Sequence, residues 1–234
     1  MTTNLLQLKP LQNSFYEVIF RRLKRLDVVV LCEGTSEAEV VKRVLSRFRI
    51  HGVSVGVTDC EGIENVPRIT WAMLTLVRIS RRLSAIVVVI DAEALRTDER
   101  ARSIVKSLTS KQKELGIMIG GFKQHPNCDQ VYEIGVKVGG RDLELLIVVN
   151  GDFTLPFRKH SLEDHFVKLL QVKGLVKLGD IEKAENAKQV VGDARAHLDI
   201  VEKEAMNVLC EAFKHLCCVA QILKKFSTEI QARS

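Results

Sequence analysis

Two short, uninterrupted apolar runs constrain the fold of this chain more than any other feature. Residues 28–32 and 86–90 are each made of five consecutive apolar side chains, mostly valine and isoleucine. A strand that is apolar on both faces must be covered on both faces, which is typical of parallel strands between helices. The runs therefore predict an α/β protein.

The segments between and around these runs support the same prediction. A helical pattern over residues 37–49 is followed by a second apolar strand at 53–57 and by another helical stretch at 66–81. The order β-α-β-α-β predicts parallel strands joined by right-handed crossovers. A composition of 46% hydrophobic but only 5% aromatic residues fits strands rich in valine, leucine and isoleucine.

The second half of the chain predicts additions to this core. Residues 131–138 and 143–149 flank Gly139 and Gly140, a pattern typical of an antiparallel hairpin. A helix is predicted at 162–172, and the chain beyond Gly174 is polar and helical. The last long helix is predicted to present an apolar stripe, formed by Leu209, Phe213, Leu216, Ala220 and Leu223.

Four regions follow from these patterns. They are a lead-in at 1–26 with a helix over 15–26, a core at 27–115, an extension of the same domain at 116–173, and a helical C-terminal region at 174–234. The extension contains the hairpin and the helix after it.

Charge and cysteine content narrow the class of protein. The net charge is +6 and the pI is near 9.0, and basic residues cluster at Arg21, Arg22, Lys24 and Arg25 and at Arg78, Arg81 and Arg82. Such clusters favour a polyanionic partner, although each could also be a solvated helix face. The six cysteines lack CxxC spacing, which argues against a zinc finger. No signal peptide or membrane span is expected, so a cytoplasmic protein is predicted.

Acidic residues follow the apolar runs at the points where ligands bind to parallel sheets. Glu33 ends the first strand, Asp91 ends the third, and Glu93 lies two residues further on. Two carboxylates about 4 Å apart repel by roughly 4 kcal/mol at an effective dielectric constant near 20. A divalent cation removes this repulsion, and oxygen ligands are those that Mg²⁺ and Mn²⁺ prefer.

The turn after Glu33 contains a second acidic candidate. Ser36 and Glu39 have the spacing of a capping box, which would hold Glu39 at the start of the helix. Glu37 is then left either to bind a metal with Glu33 or to complement the helix dipole.

A later helix start carries a similar pattern. Ser161 and Asp164 also have capping-box spacing, which leaves Glu163 without an assigned role. His160 and His165 flank this element and are candidates to contact a phosphate or a leaving group. Lys168, one turn along, could stabilise negative charge or simply be solvated.

The stretches Val29-Val30-Leu31-Cys32-Glu33-Gly34-Thr35-Ser36-Glu37 and Val87-Val88-Val89-Ile90-Asp91-Ala92-Glu93 together resemble a Toprim domain. That domain is shared by topoisomerases, bacterial-type primases, recombination proteins and nucleases of the overcoming-lysogenisation-defect family. The likeness covers about a third of the chain and is greatest to small stand-alone or nuclease-type members. It implies a mostly parallel sheet flanked by helices, to which the hairpin and the C-terminal helices are added.

The resemblance also implies a site and an activity. Asp91 and Glu93 would hold one Mg²⁺ or Mn²⁺ ion for cleavage of DNA or RNA phosphodiesters, with Glu33 and Glu37 bridging to it or holding a second ion. Glu33 could instead be a general acid or base. Further metal ligands in the nuclease members correspond to a Ser-x-Glu element, here Ser161 and Glu163.

Two departures from the Toprim pattern leave a second function open. Many members have Asp-x-Asp where this chain has Asp91-Ala92-Glu93, and the glycine-rich loop after the second strand is reduced to Gly62. The alternative is a non-catalytic module that binds nucleic acid or scaffolds a processing complex, with a homodimer as a further option. In either case Arg78, Arg81, Arg82 and Lys168 are the candidate contacts to nucleic acid.

Overall fold

The computed structural model describes residues 4–7 and 25–232, and within these ranges the strands form one seven-stranded sheet. The strands are β1 (Asn4–Gln7), β2 (Val28–Cys32), β3 (Ser54–Asp59), β4 (Ala85–Asp91), β5 (Ile117–His125), β6 (Cys128–Val138) and β7 (Arg141–Asn150). Their order across the sheet is β1-β3-β2-β4-β7-β6-β5. The first five of these are parallel, and β6 is antiparallel to both β7 and β5. The predicted α/β class with a mostly parallel sheet is confirmed.

Helices connect and cover these strands. They are α1 (Thr35–Arg47), α2 (Val66–Leu76), α3 (Thr97–Thr109), α4 (Gln112–Leu115), α5 (Leu162–Val172), α6 (Leu178–Lys183), α7 (Ala187–Val191), α8 (Leu198–Lys203), α9 (Met206–Ala212) and α10 (Lys214–Ala232). A short 3₁₀ helix at Ala194–His197 precedes α8. The predicted lead-in helix over 15–26 lies almost wholly outside the described residues.

The apolar core lies on both faces of the sheet. In β2, Val28 and Val30 join a core with α1 and α5, whereas Val29 and Leu31 join a second core with α2 and α3. This alternation follows from the two-residue period of a strand and explains why all five residues of β2 are apolar. The C-terminal helices pack into the first core, so they share their apolar interior with the sheet.

The structure corrects three predicted elements. The helix predicted at 66–81 ends at Leu76, and β5 was missed because this edge strand is mostly exposed and contains Gly120 and Gly121. The last long helix is broken at Phe213 into α9 and α10, and the chain bends by 113° between them. A disulfide between Cys210 and Cys217 spans this break.

The hairpin predicted around Gly139 and Gly140 is present as β6 and β7. Both glycines have positive φ angles, which explains their use in this tight turn. In the described part of the chain no single helix is long and apolar enough to span a membrane. Taken together, α9 and the part of α10 that ends at Phe226 are long and apolar enough, but they form a bent pair.

Candidate functional site

Asp91 lies at the centre of the acidic site, at the carboxyl end of β4. Strands β2 and β4 are neighbours, and the Asp91 amide donates a hydrogen bond of 3.1 Å to Glu33 Oε2. Asp91 Oδ1 accepts from Asn150 Nδ2 at 2.9 Å and from the Leu162 amide at 3.1 Å. Its other oxygen, Oδ2, has no hydrogen bond to the described residues. Asp91 is therefore fixed by one oxygen while the second stays available to a ligand.

A cleft of about 410 Å³ opens beside Asp91 at this edge of the sheet. Its acidic lining residues are Glu33, Glu37, Glu61, Asp91, Glu93 and Glu163. Two basic residues, Lys188 and Arg195, also line it. The cleft therefore carries an excess of negative charge that its own basic residues do not balance.

Glu37 reaches the cleft from the first turn of α1. It is 7% exposed, and a Cβ atom added to Gly34 would lie 2.8 Å from Glu37 Oε2. The glycine therefore leaves room for this carboxylate.

The capping box predicted at Ser36 is wrong. Gly34 is the N-cap residue, and Ser36 lies within α1 and donates to Asp193. Glu39 is nevertheless outside the cleft, because it pairs with Lys42 and with Arg43.

Glu163 reaches the cleft from the first turn of α5. Its Oε2 accepts a 2.7 Å hydrogen bond from the Ser161 hydroxyl, and its Oε1 lies 3.6 Å from Lys188 Nζ. Ser161 is the N-cap residue of α5 as predicted, but the predicted capping box is wrong, because the Ser161 side chain makes no bond to the helix backbone. Asp164 instead accepts from the Asp152 amide and contacts His160.

Burial and mutual repulsion disfavour ionisation of the inner acids. Burial, followed by repulsion from Glu37, raises the pKa of Asp91 well above its ordinary value. Burial also raises the pKa of Glu37 and of Glu33. The pKa of Lys188 is also raised, chiefly by Glu163, which means that the charged form of this lysine is favoured. These shifts indicate a site in which additional positive charge would be strongly stabilised.

Glu93 also lines the cleft, where its side chain is more exposed than that of Asp91. Its carboxylate lies 3.4 Å from Lys159 Nζ, and its backbone pairs with that of His160. Glu37, Glu33 and Glu163 act on the pKa of Asp91, whereas Glu93 is not among its principal causes. Glu93 and Glu61 both have left-handed φ angles, near 57° and 56°. Such backbone costs about 1 kcal/mol or more for each residue and is often found at functional sites.

The residues fit Mg²⁺ or Mn²⁺ in the chemistry of their donors, which are carboxylate and hydroxyl oxygens. Among the described residues, no three Asp, Glu, His or Cys side chains are already assembled around one point as a ready metal site. Two oxygens already have protein partners, because Glu33 Oε2 accepts from Asp91 and Glu163 Oε2 accepts from Ser161. A metal would bind through the remaining oxygens or lone pairs of these carboxylates, or would displace these contacts.

Sequence reasoning missed several residues that support the site. The Arg100 Nε donates to the Asp91 carbonyl at 2.9 Å, and the buried His215 ring contacts Asn150 Oδ1 at 2.9 Å through Nε2. Asn150 could have been found, because it is a polar residue at the end of an apolar strand that pairs with β4. Lys188 and Arg195 come from the irregular C-terminal region and carried no recognisable pattern.

The role suggested for His165 is not supported by its surroundings. The side chain is buried, its Nε2 accepts from the Gly151 amide, and its Nδ1 contacts the Ala212 carbonyl oxygen. Burial lowers its pKa to about 4. His165 is therefore a neutral structural residue that joins the end of β7 to the end of α9.

The predicted nucleic-acid contacts do not lie in the cleft. Arg78, Arg81 and Arg82 precede β4 and so lie at the opposite end of the strands, where all three are exposed. The Arg82 guanidinium donates two hydrogen bonds to the buried Asp27 carboxylate, which gives it a structural role. Lys168 pairs with Asp152 at 3.3 Å and does not line the cleft.

Comparison with known proteins gives one match. Residues 27–134, slightly under half of the chain, match the model of a family described as "Protein of unknown function (DUF3226)". No curated protein matches the chain. No solved structure matches it either. The matched segment contains Glu33, Glu37 and Asp91 but ends before Glu163.

Replacing Gly34 by alanine tests whether the Glu37 carboxylate needs its present position. The backbone at Gly34 is extended, with φ of −134°, so alanine is sterically allowed there, and its weaker preference for the N-cap position should cost no more than about 1 kcal/mol. The new methyl group would instead displace the end of the flexible Glu37 side chain. We expect Mn²⁺ affinity, measured by isothermal titration calorimetry, to fall by on the order of tenfold. Unchanged affinity would show that Glu37 does not bind the ion from this position.

Proposed function

We propose that this protein is a Toprim-type nuclease that cleaves phosphodiester bonds of nucleic acid with the help of Mg²⁺ or Mn²⁺. The observation that carries the proposal is the convergence of Asp91, Glu33, Glu37 and Glu163 on one cleft, with Asp91 Oδ1 fixed by two donors. The order β3-β2-β4 with parallel pairing is compatible with the core that the motif resemblance implies.

A structural role for these carboxylates explains the cleft poorly. Structural acids are normally paired or hydrogen-bonded to several donors, because an unpaired buried charge is costly. Here burial raises the pKa of three neighbouring acids. Among the described residues Arg100 lies 3.9 Å from Glu33 and Lys188 pairs with Glu163, whereas Asp91 and Glu37 have no ion pair. Clustered acids with perturbed pKa values in a cleft favour a functional site.

Asp91, Glu37, Glu33 and Glu163 would hold the metal, with Glu93 at the rim. When bound there, Mg²⁺ or Mn²⁺ would supply a Lewis acid for phosphodiester cleavage. Alternatively Glu33, whose pKa is raised by burial, would not bind the metal but would exchange a proton with an oxygen of the reacting phosphodiester. Lys188, which lines the same cleft, would offset the charge of the phosphate.

The proposal is tested by titrating the purified chain with Mn²⁺ and by assaying cleavage. We expect saturable Mn²⁺ binding, and thermal stabilisation of about 2.7 kcal/mol when free Mn²⁺ is a hundred times the Kd. End-labelled single-stranded DNA, duplex DNA and RNA should each be incubated with Mg²⁺, Mn²⁺ or a chelator. Cleavage of at least one of them should require the metal.

The alternative function is a non-catalytic module that binds nucleic acid. It is favoured if none of the substrates is cleaved with either metal while binding remains and weakens steeply with salt, since binding through Lys and Arg releases counterions. The double change Arg78→Ala with Arg81→Ala then examines the basic cluster. Arg82 is left intact because its loss would leave the buried Asp27 carboxylate without its ion pair.

A further inference from the structure

Phe153 stands out on the surface near the cleft. In the part of the chain whose side chains are described, it is the only exposed phenylalanine, tyrosine or tryptophan, with 48% of its surface accessible. It lies in the loop that follows β7, at the same edge of the sheet as Asp91. A single exposed apolar side chain is common on protein surfaces. The way in which this ring is supported is therefore the informative feature.

The ring is supported by a chain of polar groups, of which His160 and Asp164 are buried. Phe153 packs against the His160 ring at a centroid distance of 4.1 Å. His160 Nδ1 contacts Asp164 Oδ2 at 2.7 Å, and the same oxygen accepts from the Asp152 amide. Asp152 Oδ1 in turn accepts from the amide and hydroxyl of Thr154. Both residues that flank Phe153 are thus hydrogen-bonded, which fixes the loop that carries the ring.

The same segment connects Phe153 to the rim of the cleft. The His160 backbone pairs with Glu93, and Lys159 Nζ lies 3.4 Å from the Glu93 carboxylate. Arg158 and Lys159 are exposed and directly precede His160, which packs against the ring. The Arg158 side chain makes no ion pair or hydrogen bond within the described residues. The segment that supports the exposed ring therefore also carries two exposed basic residues and contacts Glu93, which lines the acidic cleft.

We propose that Phe153 is a stacking platform for an unpaired base, and that the substrate of the cleft is single-stranded nucleic acid held by Arg158 and Lys159 through its phosphates. The proposal rests on the proposed function and specifies its substrate class. Base stacking on an aromatic ring requires an accessible face and a fixed orientation, and it is combined with basic side chains in proteins that bind single strands. A duplex keeps its bases stacked on each other and offers none to the ring.

The test measures binding without metal, so that it does not depend on cleavage. Affinity for a fluorescent oligothymidine and for a duplex of equal length is measured by anisotropy in the presence of a chelator. We expect Phe153→Ala to weaken binding of the single strand by on the order of tenfold and to leave duplex binding within about twofold. Phe153→Tyr should bind like the wild type. Phe153→Leu, which keeps apolar bulk against His160, should behave like Phe153→Ala.

A tryptophan variant reports stacking directly. Phe153→Trp adds a second tryptophan to a chain whose own Trp71 is 6% exposed in α2. We expect its fluorescence to be quenched by oligothymidine but not by an oligomer of abasic sites, which has the same backbone charge. The matched control is Met118→Trp, at an exposed position on the edge strand β5, which should not be quenched.

The outcomes separate this proposal from the nuclease. If Phe153→Ala and Phe153→Leu bind oligothymidine like the wild type, or the abasic oligomer quenches Phe153→Trp equally, the platform is refuted, whether or not the protein cleaves. If these variants lose affinity as expected while no metal-dependent cleavage is found, the platform stands and the nuclease is wrong.

Discussion

Asp91→Asn is expected to reduce metal-dependent cleavage at least about a hundredfold, the scale of effect seen when one preorganised charged or polar group is removed from a catalytic site. Asparagine keeps the shape of the side chain and an oxygen that can accept from Asn150 and Leu162. It removes the charge that would hold the ion. The measurement is the initial rate of cleavage with Mg²⁺ and with Mn²⁺, alongside the affinity for Mn²⁺.

The same variant should fold at least as well as the wild type when metal is absent. Burial and repulsion from Glu37 raise the pKa of Asp91, so its ionised form destabilises the folded chain. Asp142→Asn is the matched control, because Asp142 is exposed at the opposite end of β7 and the chemical change is identical. If Asp91→Asn retained full activity, or if Asp142→Asn lost it, the assignment of the site would be wrong.

Phe213→Ala should produce the largest loss of stability, about 3–5 kcal/mol, because it removes a fully buried ring from the break between α9 and α10. The ring packs edge-on against Phe166 at 5.1 Å and lies 5.7 Å from His165. The variant should therefore also disturb α5, which carries Glu163 into the cleft. Its unfolding is measured by urea titration and by the melting temperature, which should fall by on the order of 10 °C.

The number of unfolding transitions tests whether the C-terminal helices form a separate folding unit. Since the C-terminal helices share the first core with the sheet, both the wild type and Phe213→Ala should unfold in one cooperative transition. Leu178→Ala, at a position 61% exposed on α6, is the control and should change stability by less than about 0.5 kcal/mol. A separate early transition for the C-terminal helices would instead indicate an independent region.

Local sequence patterns determined the central sheet. The short apolar runs at 28–32 and 86–90 predicted strands covered on both faces, which placed Glu33 and Asp91 at the carboxyl edge of the sheet. The Gly139-Gly140 turn likewise determined the hairpin, because both positions need φ angles that glycine adopts easily. These features depend on residues close together in the chain.

Tertiary structure alone decided which groups complete the site. Glu37 and Glu163, rather than Glu93, are the acids that most affect Asp91 along with Glu33, and this depends on how α1 and α5 pack against the ends of β2 and β4. Asn150, His215 and Lys188 join the cleft or support it from segments 59 or more residues after Asp91 in the chain. No local periodicity can encode contacts over such separations, because they follow from the packing of the whole core.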